Sequence, residues 1–303
     1  MKKALLIVNP KAGKLKAKSA MFDIVNTMSR HGYLVTAAIT QKPGHAVTLT
    51  KELAGEHDIV VCSGGDGTFN EVVSGIISSG SDRPIGYIPA GSTNDFANTL
   101  GLSKDIRRAA EDAVTGVRKT MDIGSFNNRY FSYIASFGAF TRASYATPQD
   151  TKNVLGHMAY ILEGLKDIPS IKAEHVKIET PDKVYEDDYI FGAVANSTSV
   201  AGVISLDDKI VMLNDGKFEL LLVKKPPNVG ELSKCINALL SQNYNSDMIE
   251  FASMESGTVT TEHNLVWSLD GERADTDGRI EIKNLHHAIT MILPSAAADS
   301  SIF

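Results

Sequence analysis

Three glycines within four positions, in the run Ser63-Gly64-Gly65-Asp66-Gly67-Thr68, constrain the fold of this chain more than any other feature. An apolar stretch, Ile59 to Cys62, precedes the run, and a helical pattern, Phe69 to Ile77, follows it. Glycine permits positive φ and lets a ligand approach backbone amides without a Cβ in the way. A helix that starts directly after such a turn presents N–H groups with no intrahelical acceptor, a ready site for an anion. The spacing therefore predicts a strand–turn–helix unit whose turn cradles phosphate, although an ordinary glycine-rich turn has the same spacing. Asp66 can orient the loop, hold magnesium or accept a proton. The run lacks the GK[ST] ending of a Walker A loop and is not GxGxxG, which disfavours ordinary P-loop NTPases and dinucleotide dehydrogenases.

The surrounding pattern extends this unit to a domain. Candidate strands at Ala4 to Val8, Tyr33 to Ile39, Ile59 to Cys62 and Ile85 to Ile88 alternate with helical patterns. In the first of these, Leu15, Met21, Phe22, Val25 and Met28 recur at helix spacing before His31-Gly32; the others cover Val47 to Leu53, the stretches after Gly67 and Ser92, and Ile106 to Val114. Alternation of this kind predicts a layered α/β domain with a largely parallel sheet. After Asp122 the texture changes to short β-branched or aromatic runs: Tyr130 to Ile134, Val176 to Thr180, Tyr189 to Ala195, Phe218 to Val223, Leu265 to Asp270, Arg279 to Ile282 and Ala288 to Leu293. These predict an antiparallel β-sandwich or barrel, interrupted by helices at 156–168 and 229–240. The expected fold is thus α/β plus all-β: a three-layer α/β nucleotide-binding domain over 1–122 and a β-sandwich domain over 123–293. A length of 303 residues suits two domains of about 150 each.

Composition excludes several classes. Two cysteines, Cys62 and Cys235, are too few for a disulfide framework or a zinc cluster, and point to a reducing compartment. Cys62 in its apolar strand reads as packing rather than as a nucleophile. The eight histidines show no HExxH or comparable spacing, so zinc is disfavoured, and His286-His287 are expected at a strand edge. The apolar start ends at Asn9-Pro10-Lys11, too soon for a signal peptide, and no apolar stretch approaches the ~18 residues of a membrane span. The net charge of −6 is uneven: Met1 to Asp122 carries 15 basic and 12 acidic residues, leaving 15 and 24 for the rest. A positive first half suits an anionic ligand, and equally a plain solvated surface.

Two further loops resemble the glycine run in placement. Asn9-Pro10-Lys11-Ala12-Gly13-Lys14 follows the first strand, and Pro89-Ala90-Gly91-Ser92-Thr93-Asn94-Asp95-Phe96 follows the fourth, with Ser92 and Thr93 as candidate helix caps. In a parallel sheet all three emerge at strand carboxyl ends and can converge on one ligand. NPKAGK, SGGDGTFNEVVSG and PAGSTNDFA, followed later by LNDGKFEL and SLDGE, resemble the diacylglycerol kinase catalytic family over nearly the whole chain. The resemblance implies an α/β nucleotide domain, a β-rich lipid-binding domain with the C-terminal tail, about 294–303, packed back on the first, and transfer of the ATP γ-phosphoryl group to a lipid hydroxyl, by default that of diacylglycerol. It implies ATP and Mg2+ as cofactors. A lipid met by peripheral contact at the inner face of the membrane, a cytoplasmic location and no nucleic-acid partner go with it; a homodimer stays open.

Carried over position by position, the resemblance puts Asn9, Lys11, Gly13 and Lys14 in the first nucleotide loop and Thr40 after the second strand. It puts Gly64, Gly65, Asp66, Gly67 and Thr68 around the phosphates, Glu71 one helical turn onward, and Gly91, Ser92 and Thr93 at the far side. Ala12 stands where many relatives carry Ser, which removes one hydroxyl contact. Asp270-Gly271-Glu272 matches the family's acid/base element. A strand would also put Asp270 and Glu272 on one face, where one carboxylate takes the hydroxyl proton and the other orients it or binds metal. Asp-Gly is also a favoured hairpin turn, but Asp277-Gly278 is the better turn candidate of the two. The resemblance assigns Asp215 and the carbonyls of Met212 and Lys217 to a structural magnesium site; a plain turn explains the same residues. Asp122 reads as structural. A kinase of a soluble hydroxyl substrate, such as an NAD kinase, and a nucleotide-binding regulator without catalysis remain the alternatives.

Overall fold

The computed structural model describes residues 1–138, 172–200, 204–207 and 210–303. They form two compact units. The first comprises Met1–Ile123, Leu213–Asp215 and Leu285–Phe303; the second comprises Gly124–Met212 and Gly216–Asn284. The expected helix at 156–168 lies outside the described residues.

In the first unit, strands β1 (Lys2–Val8), β2 (Tyr33–Ile39), β3 (Ile59–Gly64) and β4 (Ile85–Pro89) alternate with helices α1 (Met21–Arg30), α2 (His45–Leu53), α3 (Asp66–Ser79), α4 (Asp95–Thr99) and α5 (Ile106–Thr115). β1 pairs in parallel with both β2 and β3, and β3 pairs in parallel with β4. Val8 is level with Ile39 and with Ser63, which brings the carboxyl ends of three strands to one line. Ala4, Leu6 and Val8 pack with Ile24 and Met28 of α1 and with Ala109, Ala110 and Ala113 of α5. Leu5 and Ile7 point the other way and are equally buried, so helices cover both sheet faces. Each valine, leucine, isoleucine or methionine among them contributes about 1.5–3 kcal/mol by burial. One detail of the sequence pattern fails: Phe22 is 79% exposed, because the buried stripe of α1 runs through Ile24 and Met28.

β5 (Val117–Phe126) leads into the second unit, where its end pairs antiparallel with β6 (Arg129–Phe131). There follow β7 (Ile134–Gly138), β8 (Glu174–Glu179), β9 (Val184–Ala195), the two-residue strands β10 (Ser199–Val200) and β11 (Ile204–Ser205), β12 (Phe218–Lys224), α6 (Val229–Leu240), β13 (Ile249–Met254), β14 (Ser256–Thr261), β15 (Trp267–Leu269) and β16 (Glu272–Ala274). The twelve-residue β9 pairs antiparallel with β7, β8 and β12. Trp267 anchors the core, its ring 4.8 Å from that of Phe137 and 5.2 Å from that of Phe126.

Glycine has a packing role in this unit. Gly192 of β9 lies opposite Phe137 of β7, and a Cβ on Gly192 would fall into the Phe137 ring with Leu222 Cδ2 3.0 Å away. The ring covers the strand where the glycine leaves room. Gly192→Ala is expected to cost about 1–3 kcal/mol by overpacking, read as a lower denaturant midpoint with an unchanged m-value.

The chain returns to the first unit through β17 (Arg279–Leu293), one continuous strand where the sequence pattern suggested two. Its start pairs antiparallel with β14, and Met291 and Ile292 pair in parallel with Ile85 and Gly86 of β4. The first unit therefore has a fifth parallel strand, and 285–293 lie in it rather than with the β-rich residues, as the sequence pattern had placed them. The short helix α7 (Ser295–Ala298) follows, and Leu213 N–H donates to the Ile302 carbonyl at 2.8 Å.

Candidate active site

The strand order β2-β1-β3-β4 reverses direction between β1 and β3, and ligands of open α/β sheets bind outside the carboxyl ends of strands at such a switch point. The loops after β1, β3 and β4 meet there. Asn9 N–H donates to the Ser63 carbonyl at 2.9 Å, and its side chain donates to the Thr68 hydroxyl at 3.0 Å. Asn9 Oδ1 in turn accepts Lys11 N–H, which shapes the first loop. Ala90 and Gly91 both donate to the Gly64 carbonyl. A Cβ on Gly91 would lie 2.6 Å from Gly65 Cα, and one on Gly13 would collide with the Ala90 carbonyl. Gly13, Gly65 and Gly91 are glycines because three backbones touch. The structure thus brings together Asn9, Lys11, Gly13, Gly64 to Thr68 and Gly91; the side chain of Lys14 is outside the described residues.

Within this cluster the acidic residues are braces. Asp66, in the first turn of α3, accepts Asp95 N–H at 2.9 Å and the Tyr87 hydroxyl at 3.3 Å. It therefore fixes the start of α4 from a neighbouring loop. The cap of α4 is Asn94, left-handed at φ 54° and donating to the Gly91 carbonyl, while Ser92 and Thr93 are exposed; the expected capping by Ser92 or Thr93 is corrected. Burial holds the Asp95 carboxyl above the usual carboxylate range. Glu71 spans the site in the other direction, accepting the amides of Gly44 at 2.7 Å and Ala46 at 2.9 Å. It caps α2 and steadies the loop that begins at Thr40, whose own N–H donates to the Val8 carbonyl. Burial, with Glu71 and Asp66 nearby, pushes the Cys62 thiol far up, so it stays protonated and unreactive. Tyr87, Asn94 and Asp95 were not singled out by the sequence, because a tyrosine in an apolar strand and Asn-Asp after a glycine turn carry no spacing of their own.

In the second unit the geometry of Asp270 and Glu272 differs from expectation. Asp270 and Gly271 have φ of 49° and 85° and join β15 to β16, with Leu269 paired to Glu272. Asp-Gly here is a two-residue hairpin turn, not a strand, so the premise that the two carboxylates share a strand face is corrected. Asp277-Gly278, judged the better turn candidate, lies instead in the link from β16 to β17. Asp270 is 5% exposed, and its carboxylate accepts three consecutive amides: Ser132 at 2.6 Å, Tyr133 at 3.0 Å and Ile134 at 3.0 Å. Those amides explain why the expected strand 130–134 is broken into β6 and β7. Glu272 is exposed, with Arg129 Nη2 3.9 Å from its Oε2.

The Met212–Lys217 segment is a turn with Gly216 at φ 82°. Asp215 is exposed, and the Lys217 carbonyl accepts Asn284 Nδ2 at 3.2 Å. Leu213 accepts Asp122 N–H at 2.8 Å. Hard oxygens on a tight turn suit a magnesium ion that keeps several waters.

Glycine loops gathered at a switch point, a helix amino terminus facing them and no Walker lysine define a nucleotide-phosphate-binding protein outside the P-loop class. Residues 3–126 match the diacylglycerol kinase catalytic domain. A diacylglycerol kinase of Bacillus subtilis is 33% identical over 304 residues, covering 99% of both chains. A diacylglycerol kinase of Staphylococcus epidermidis is 34% identical over 89% of this chain and 86% of its own. A crystal structure described as a diacylglycerol kinase from Bacillus anthracis superposes with a TM-score of 0.76 at 25% identity, covering 98% of this chain and 98% of that one. The chain belongs to the diacylglycerol kinase family and is a kinase.

Proposed function

We propose that the chain transfers the γ-phosphoryl group of ATP to the free hydroxyl of diacylglycerol, giving phosphatidic acid and ADP. The observation that carries this reading is the convergence of three glycine loops at the β1/β3 switch point in a chain of this family. The phosphates rest on the amides of Gly64 to Thr68 at the start of α3, with Asn9, Lys11, Gly13 and Lys14 on one side and Gly91, Ser92 and Thr93 on the other. Thr40, whose N–H donates a hydrogen bond to the Val8 carbonyl, lies on the nucleoside side. Phosphoryl transfer needs positioning and charge neutralisation rather than a covalent nucleophile. Magnesium bound with the nucleotide would supply part of that neutralisation, and Asp215 with the Met212 and Lys217 carbonyls would hold a second, structural ion.

Glu272 is the general base. Its carboxylate takes the proton of the lipid hydroxyl as that oxygen forms its bond to the γ-phosphorus and the bond to the β–γ bridging oxygen breaks. Asp270 is a positioning residue: with three amides on its oxygens it fixes the turn that presents Glu272. No described helix is long and apolar enough to cross a membrane. The lipid is reached by peripheral contact at the cytoplasmic face.

Because Glu71 braces the loop after β2 rather than the phosphates, Glu71→Ala is expected to raise the KM for ATP about tenfold and to change kcat less than about threefold. Steady-state kinetics with ATP varied checks this. The function is tested by incubating the chain with γ-labelled ATP and either diacylglycerol in mixed vesicles or NAD. Label in chloroform-extractable phosphatidic acid supports the reading, and label in NADP overturns it.

A further inference from the structure

His286 and His287 are consecutive in β17, and in a regular strand consecutive side chains leave opposite faces. Here His287 has φ 52°, a left-handed value uncommon for any residue but glycine, and the two rings stack with centroids 3.7 Å apart. The kink turns both imidazoles to one side. Asp122 of β5 faces them: it is fully buried, and its Oδ1 accepts His287 N–H at 2.7 Å and lies 3.1 Å from His286 Nδ1. One ring nitrogen from each histidine and one Asp122 oxygen all lie within 4.8 Å of one another. All three residues belong to the first unit.

We propose that Asp122, His286 and His287 form a binding site for a first-row transition-metal dication of the Zn2+, Co2+ or Ni2+ type. Two imidazoles and one carboxylate are the donor set such ions prefer, whereas magnesium takes oxygen and keeps water. Metal–ligand bonds of about 2.0–2.1 Å at tetrahedral to octahedral angles put neighbouring donors roughly 2.9–3.3 Å apart. The 3.1 Å between His286 Nδ1 and Asp122 Oδ1 falls in that range. His287 Nε2 is 3.1 Å from the Asn214 carbonyl, so a proton held there leaves Nδ1 as the donor, the outer-shell arrangement usual for metal-binding histidine. The His286 side chain is 52% exposed, which leaves room for water as a further ligand. Spacing rules passed over this site because its carboxylate comes from 164 residues earlier in the chain than His286.

Titrating the full chain with Co2+ in millimolar Mg2+ tests the proposal. The expected result is saturation at about one equivalent, a visible d–d absorption band displaced by Zn2+, and a Tm raised by several degrees at saturation. H286Q, which keeps an N–H donor for Asp122, is expected to weaken Co2+ binding at least about tenfold and to abolish the band. Asp215→Ala, which removes the carboxylate proposed for magnesium, and His175→Ala are expected to leave Co2+ binding unchanged. The proposal is overturned if Co2+ does not saturate, if H286Q binds as the parent does, or if Asp215→Ala or His175→Ala removes the band.

Discussion

Glu272→Gln is expected to lower kcat for lipid phosphorylation by about 10²–10⁴-fold, the range a positioned general base contributes, while Tm stays where it is. Glutamine keeps the size of the side chain and removes its ability to take a proton. Glu272 is exposed, and an ion pair as long as its 3.9 Å contact with Arg129 contributes little folding energy. Calorimetry with a non-hydrolysable ATP analogue separates the alternatives: unchanged affinity with lost turnover assigns the defect to the chemical step. Turnover within about threefold of the parent would remove Glu272 from the mechanism.

Asp270→Ala is expected to behave in the opposite way, lowering folding stability by about 3–5 kcal/mol. The substitution leaves three amides, those of Ser132, Tyr133 and Ile134, without the acceptor they have now, and each buried donor left unpaired costs about 1–3 kcal/mol. Asp270→Asn retains one carbonyl oxygen and is expected to lose roughly half as much. Denaturant unfolding of the parent and both variants gives the ordering. Equal loss of turnover in Asp270→Asn and Glu272→Gln with no change of midpoint would instead make Asp270 a participant in proton transfer.

These two residues also show what could be read from the amino acids alone. The first unit was legible because its signals are local: apolar runs and glycine turns alternate, and the register that levels Val8 with Ile39 and Ser63 follows from the parallel sheet they build. Helix α6 was equally plain, with the same bounds in the sequence pattern and in the structure. What was hidden depends on partners far along the chain. Asp270-Gly271 could be strand or hairpin by composition, and only the amides of 132–134, more than 130 residues earlier, fix the carboxylate in the turn. Glu71 reads as a phosphate-loop residue from its place in the motif, yet its oxygens belong to Gly44 and Ala46. The fifth strand of the first sheet was visible as an apolar run but not as a member of that sheet, since β-pairing leaves no mark on either partner.

That fifth strand has a bearing on how the chain is made. During synthesis β4 emerges early, but its partners Met291 and Ile292 are translated only after the whole of the second unit. Until then β4 is an open edge of a parallel sheet, with bare amides and carbonyls of the kind that invite pairing with another chain. Nascent polypeptide released before residue 285 would carry this edge uncovered, and the waiting period lengthens with everything inserted between the two strands. Quality control of such a protein therefore turns on residues 285–293, and a stop before them would be felt in the parallel sheet of the first unit.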